Sequence, residues 1–324
     1  MSKPIIELKN VSKSFANNSV LAVDNVSLTI NEGEFVVLLG ASGSGKTTLL
    51  KMINRLYEPT SGEINLNGEN VMGVDPALYR RKIGYVIQQS GLFPHMTVEK
   101  NIGIVPDIVK WPKEKIDKRV RELMSMIDLD YEKYRDRFPR ELSGGEQQRV
   151  GLARGLAVDP DVVLMDEPFG AVDAITRKKL QDKVLELQKA MHKTIVFVTH
   201  DIQEAFKLAD RIVVMNCGQI QQYDTVFNVL FHPANDYVRS LMAGENFLGK
   251  LQAVNVREIM RTDTPEGITA DIHWESSLKD AYERFVVQHI PVLRIVNGGE
   301  ALGYVYKADM DKLVQGILME ERKV

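Results

Sequence analysis

Phe35-Val36-Val37-Leu38-Leu39-Gly40-Ala41-Ser42-Gly43-Ser44-Gly45-Lys46-Thr47-Thr48 is the stretch on which the fold turns. Five consecutive apolar residues read as a strand buried on both faces, as in a parallel sheet. Gly40 to Thr47 then have the spacing GxxxxGK with Thr in the last place, and the residues after Thr48 resume an apolar helical pattern. This is a P-loop: glycines let the main chain from Gly40 to Thr48 wrap closely enough to point its N–H groups at phosphate oxygens. The helix after the loop adds the positive end of its dipole. Lys46 is placed to reach the β and γ phosphates, and the Thr47 hydroxyl to ligate Mg²⁺. The spacing alone can arise by chance, but the strand before it and the helix after it are what the mechanism needs.

Working outward, short β-rich runs at Ile5 to Leu8, Val26 to Ile30 and Glu63 to Leu66 are separated by turn residues. Helical spacing runs from about Pro112 to Gln188, broken once by the apolar run Val162 to Met165; strands are expected again at Ile195 to Thr199 and Ile212 to Met215. Apolar runs alternating with helices predict an α/β fold around a parallel sheet. Val162 to Met165 ends in Asp166-Glu167. Beside a P-loop, Asp166 is placed as the acidic partner of Mg²⁺, and Glu167, one residue beyond the strand, suits a general base for water.

Composition bounds the rest. A chain of 324 residues allows about two domains. With 44% apolar and 26% charged residues it is globular rather than disordered or fibrous. A net charge of -3 argues against a partner bound mainly by charge, so no nucleic acid is expected. Cys217 is the single cysteine, which excludes an intrachain disulfide and suits a reducing cytoplasm. MSKPIIELKN does not read as a signal peptide, and no apolar run approaches a membrane span. Any role at a membrane therefore calls for another chain to cross it.

Leu142-Ser143-Gly144-Gly145-Glu146-Gln147-Gln148-Arg149 narrows the field. Ser143 and Glu146 have the spacing of an ordinary capping box. A plain helix start has no need of two glycines in its first turn, where each gives up roughly 1 kcal/mol of helix propensity relative to Ala. Gly144 and Gly145 are expected to expose bare amides at a positive helix end, a second anion site in the same chain.

With these residues in place the chain resembles the ABC transporter ATPases. LSGGEQQR is similar to their signature motif and DEPFGAVD to their Walker B and D-loop, with Val172 where Leu is usual. The resemblance implies an α/β P-loop NTPase with an inserted helical subdomain, at about residues 90 to 160, and an antiparallel β subdomain. It also implies a head-to-tail homodimer, each ATP lying between one chain's P-loop and the other's signature helix, so that Ser143 and Gly145 meet the γ-phosphate bound to the partner. Asp173 then belongs to the dimer seam. Phe15 stands where an aromatic stacks on adenine. Gln88 matches the glutamine that contacts Mg²⁺ and the attacking water, with the adjacent Gln89 as the alternative. His200 matches the switch histidine, and Glu167 the base. Leu92 to Val98 resembles the surface that receives integral-membrane permease subunits; its plainer reading is a loop anchored by core contacts.

The stretches FGAVDAITRKKLQ and THDIQEAFKLADRI resemble the importer ATPases of the quaternary-amine class, which take up glycine betaine, carnitine or choline with an extracytoplasmic substrate-binding protein or domain. The implied location is the cytoplasmic face of the cell membrane. Other solutes (an amino acid, a polyamine, a thiol-betaine) remain open, and a non-transport ABC ATPase is the remote alternative. Val256-Arg257-Glu258-Ile259-Met260-Arg261, then His289-Ile290-Pro291-Val292 and Gly303 to Asp309, resemble one CBS motif. Domain limits are thus expected at 1–245 for the nucleotide-binding domain, 246–252 for a linker and 253–324 for a CBS-like α/β regulatory domain. CBS motifs ordinarily work in pairs and only one fits. Tyr306 stands where nucleotide-binding examples carry Thr or Ser, which puts nucleotide sensing through Asp309 in doubt. Residues 251–324 hold 9 Lys and Arg against 12 Asp and Glu, which gives no cationic face for anionic lipid.

Overall fold

The structure is a computed structural model, and it describes residues 3–321 except 16–19, 89–90, 171, 245 and 266–268. The chain divides into two compact units, residues 1–223 and 224–324.

The first unit opens with β1 (Pro4–Lys13) and β2 (Val23–Asn31), then β3 (Phe35–Leu39), the P-loop and α1 (Lys46–Ile53). β4 (Ser61–Leu66), β5 (Glu69–Asn70), α2 (Pro76–Arg80) and β6 (Ile83–Val86) come after it. A run of helices is next: α3 (Val98–Ile108), α4 (Lys113–Met126), α5 (Tyr131–Tyr134) and α6 (Gly144–Gly155). The chain then returns to the sheet through β7 (Val162–Asp166), α7 (Ala174–Met191), β8 (Thr194–Thr199), α8 (Ile202–Leu208), β9 (Arg211–Asn216) and β10 (Gln219–Thr225).

Two sheets result. β2-β1-β4-β5 is antiparallel, and its alternating pattern puts Ile6, Leu8, Leu28 and Ile30 in the core. β10-β9-β3-β8-β7-β6 is parallel from β9 through β6. All five residues of β3 and all six of β8 are buried, as expected for strands covered on both faces. The two sheets share a core in which Val36, Leu38, Val196 and Val198 meet Leu49, Leu50 and Ile53 of α1. Because the central strands run the same way, their carboxyl ends lie at one edge. Leu39 pairs with Thr199, Asp166 with Val198 and Val86 with Met165. In open α/β sheets ligands bind outside that edge.

The second unit contains α9 (Val226–Phe231), α10 (Asp236–Met242), α11 (Phe247–Ala253), β11 (Thr269–His273), α12 (Leu278–Gln288), β12 (Val292–Asn297), β13 (Glu300–Tyr306) and α13 (Lys307–Glu321). Its sheet has the order β11-β12-β13, the first pair parallel and the second antiparallel. Here the structure departs from the sequence reading. The expected linker at 246–252 is mostly helix α11, capped by Asn246, whose Oδ1 accepts from Gly249 N at 2.8 Å; Leu251 is fully buried and α11 packs on α12. Gly244 and Gly249 gave the segment its loop-like composition, but Phe247, Leu248 and Leu251 supply a helical apolar spacing. The compact units also part at 223/224 rather than 245/246.

Candidate functional site

The parallel edge gathers the P-loop, Gln88, Asp166, Glu167 and His200 from the ends of β3, β6, β7 and β8. Gly45 sits at φ 105°, and a Cβ there would lie 2.5 Å from the Ala22 carbonyl, so both the turn and the close approach demand glycine. It is also the N-cap of α1, which has no side-chain cap and no acidic residue in its first turn. Lys46 is buried and its Nζ donates to the carbonyls of Gly40 and Ala41, both at 2.8 Å, and to Ser44 Oγ at 3.3 Å. Burial lowers its pKa, an effect countered by the nearby Glu167 and Asp166 carboxylates. Ala41, Ser42 and Gly43 are exposed; Thr47 and Thr48 are half-buried.

Thr47 Oγ1 donates to Asp166 Oδ1 at 2.9 Å. Burial raises the Asp166 carboxyl, while the Thr47 hydrogen bond and Lys51 pull the other way. Glu167, immediately after β7, has φ 43°, a left-handed conformation uncommon outside glycine. That turn aims the side chain across the sheet edge. Its Oε1 lies 3.3 Å from His200 Nδ1 and its Oε2 accepts from Gln88 Nε2 at 3.3 Å. Gln88, Glu167 and His200, 79 and 33 residues apart, thus meet on one carboxylate. Gln89, the other residue the match could have used, lies outside the described residues.

Phe15 is 36% exposed, edge-on to Tyr57 at 5.3 Å with Lys13 Nζ 5.3 Å from its ring. Asp173 caps α7, accepting from Ile175 N at 3.2 Å and Thr176 N at 3.1 Å, and the bonds to Thr176 hold its carboxyl below the usual range.

At the signature helix the capping box is closed: Ser143 N donates to Glu146 Oε2 at 2.7 Å and Ser143 Oγ accepts from Glu146 N at 3.3 Å. Gly144 is exposed with open space around it, as expected. Gly145, expected to expose its amide, is instead buried. A Cβ there would sit 2.4 Å from Thr176 Cγ2, so this glycine lets α6 close on α7.

Two groups of residues escaped the sequence reading. Asn101, fully buried in α3, staples the loop from Phe93 to Thr97: its Oδ1 accepts from Phe93 N at 2.8 Å and its Nδ2 faces the carbonyls of Phe93, Met96 and Thr97. From α6, Arg154 Nη1 donates to Gly91 O at 2.8 Å, with the guanidinium 5.6 Å from the Phe93 ring. The signal was available: polar residues on the apolar side of a helix. The second group is a polar cluster around Glu204 of α8, which reaches Thr199 of β8 and Gln181 of α7.

Among the described residues, no helix is long and apolar enough to cross a membrane. The ABC transporter family matches residues 23–170. The choline transport ATP-binding protein OpuBA of Bacillus subtilis is 48% identical over 93% of this chain and 78% of its own length. The glycine betaine uptake system ATP-binding protein YehX of Escherichia coli is 43% identical over 94% and 99%. This chain belongs to the ABC transporter ATP-binding proteins. The first unit has the cassette fold: a dimeric post-hydrolysis structure of the ATP-binding cassette MJ0796 bound to ADP and Pi matches 68% of this chain and 98% of its own, with a TM-score of 0.62 and 37% identity. As an ABC protein this chain binds ATP and is an ATPase.

Proposed function

We propose that the chain powers an importer for quaternary-amine osmoprotectants of the glycine betaine, carnitine and choline class, hydrolysing ATP at a site shared by two copies. The observation that carries the hydrolytic reading is the single carboxylate of Glu167, held by Gln88 on one oxygen and His200 on the other, beside Lys46, Thr47 and Asp166. In it Lys46 and the P-loop amides hold the phosphates, and Phe15 stacks on adenine. Glu167 takes the proton from the attacking water, Gln88 orients that water, and His200 holds the γ-phosphate and Glu167 in line.

Thr47 Oγ1 and Asp166 Oδ1, 2.9 Å apart, are hard oxygen donors of the kind Mg²⁺ takes together with phosphate oxygens, and the side-chain oxygen of Gln88, whose Nε2 reaches the neighbouring Glu167, would be the third. Bound there, Mg²⁺ would neutralise charge on the β and γ phosphates. Ser143 and the first turn of α6 face the partner copy's γ-phosphate, with Asp173 at the seam. The loop stapled by Asn101 docks a permease subunit, which places the protein at the cytoplasmic face of the membrane, and a substrate-binding protein or domain delivers the solute.

The substrate class rests on relatives such as OpuBA and YehX, which match nearly the whole chain. The β11-α12-β12-β13-α13 order of the second unit suits a single CBS-like module. Asp309 there is taken by Arg261 Nη2 at 2.6 Å, which favours a structural over a nucleotide-sensing role for that carboxylate. The test is ATP hydrolysis by this chain copurified with its permease in vesicles that contain the binding protein. A quaternary amine is expected to stimulate hydrolysis. Stimulation by an amino acid or polyamine alone would replace the substrate assignment.

A further inference from the structure

Behind the edge loops lies a buried polar cluster that the nucleotide contacts do not use. Glu204, in the first turn of α8, is 6% exposed. Its Oε2 accepts from Thr199 Oγ1 at 2.7 Å and its Oε1 from Gln181 Nε2 at 3.3 Å. Thr199, 2% exposed, accepts in turn from Asp201 N at 3.0 Å. The residues on either side of His200 are therefore both tied through one hydroxyl to Glu204.

From the other side comes Arg177, one turn into α7 after Asp173. Its Nη2 donates to the Val172 carbonyl at 3.2 Å, next to Asp173. Its Nη1 lies 3.6 Å from Asp201 Oδ2, and its Nε lies 3.9 Å from Glu204 Oε1, too far for a hydrogen bond. One guanidinium thus lies between the loop before α7, the Asp201 carboxylate next to His200 and the Glu204 carboxylate in the first turn of α8. Buried ionised groups are costly, and an apolar cluster would hold two helices together as well. What this cluster adds is direction, since hydrogen bonds fix loop geometry where apolar packing does not.

We propose that Arg177 and Glu204 are a positioning couple that sets His200 against Glu167 and ties that setting to the Asp173 loop. Through it, engagement of that loop by a second copy reaches the histidine of the same chain. The couple acts through His200 and touches no substrate. It rests on the hydrolytic reading of the Glu167 site.

The test uses the full chain with Arg177→Gln, Glu204→Gln and the pair. Asp182→Asn is the control, because Asp182 with Lys207 Nζ at 2.6 Å is a second, surface link between α7 and α8. Each single variant is expected to lower kcat about tenfold while binding of a fluorescent ATP analogue stays within about twofold. The pair should be no slower than the worse single variant, as for two residues that act as one unit. The imidazole proton signals of His200 should shift in both variants, with those of His95 and His232 unmoved, and Asp182→Asn should behave as the parent. Unchanged turnover, losses that multiply in the pair, an unmoved His200 signal, or an equal loss in Asp182→Asn would each overturn the couple. If Glu204→Gln fails to fold, Arg177→Gln carries the test, since that side chain is one-third exposed. A parent protein that hydrolyses no ATP would instead overturn the hydrolytic reading.

Discussion

Two helices of the first unit open on glycine-rich turns, and they are built on opposite terms. α1 begins at Gly45 with no side-chain cap and no acidic residue in its first turn, so its leading amides are left for a ligand. α6 begins with a closed Ser143/Glu146 box, and Glu146 also accepts from Tyr134 OH at 2.8 Å. Burial works against the Glu146 charge, yet the bonds from Ser143 and Tyr134 hold its carboxyl below the usual range. A carboxylate already answers the positive end of that helix. The lesson is a division of labour. In the proposed site the P-loop end holds a polyphosphate by itself, whereas the signature end completes a site whose charge is neutralised elsewhere.

The largest expected effect lies on the P-loop side. Glu167→Gln should leave ATP binding near the parent level while hydrolysis falls by roughly a hundred- to ten-thousand-fold, the usual loss for a general base. Single-turnover kinetics with a binding assay would check it. Near-normal turnover would move the base to another residue and weaken the comparison.

A smaller effect is expected on the signature side. Gly145→Ala drives a methyl group into Thr176 Cγ2, so it should reduce turnover without reducing ATP binding. Adding Thr176→Ala should recover part of the lost turnover by removing the obstructing atom. If Gly145 served only as a bare amide, the second change would recover nothing. A steady-state assay on the three variants decides between them.

The legible part of the sequence was whatever is both local and chemically unusual. β3, β7 and β8 are apolar runs because both faces are covered, and Asp166-Glu167 and Thr199-His200 at the ends of β7 and β8 are polar exceptions that stand out against them. Less visible were the elements whose stability comes from neighbours. β6 has four residues at the sheet edge, β10 is mostly polar and half-buried, and β11 contributes Thr269-Ala-Asp-Ile-His273, in which Ile272 alone is a large apolar residue. α11 was hidden by its glycines. Gly145 was legible as a glycine that a plain helix start does not need, but its reason, the approach of α7, is a tertiary contact 31 residues away. The Glu204 cluster escaped for the same cause: Arg177, Gln181, Thr199 and Glu204 are ordinary residues until the fold packs α7 against α8.

The central claim is that one catalytic site draws its P-loop from one chain and its signature helix from another. Mixing two inactive variants tests it most directly. Lys46→Ala removes the phosphate-binding lysine, and Ser143→Arg blocks the signature end; each homodimer should be inactive. In the mixed dimer one site pairs an intact P-loop with an intact signature helix, so ATP hydrolysis should return on mixing. A mixture as inactive as its components, with mixed dimers shown to form, would contradict the shared site.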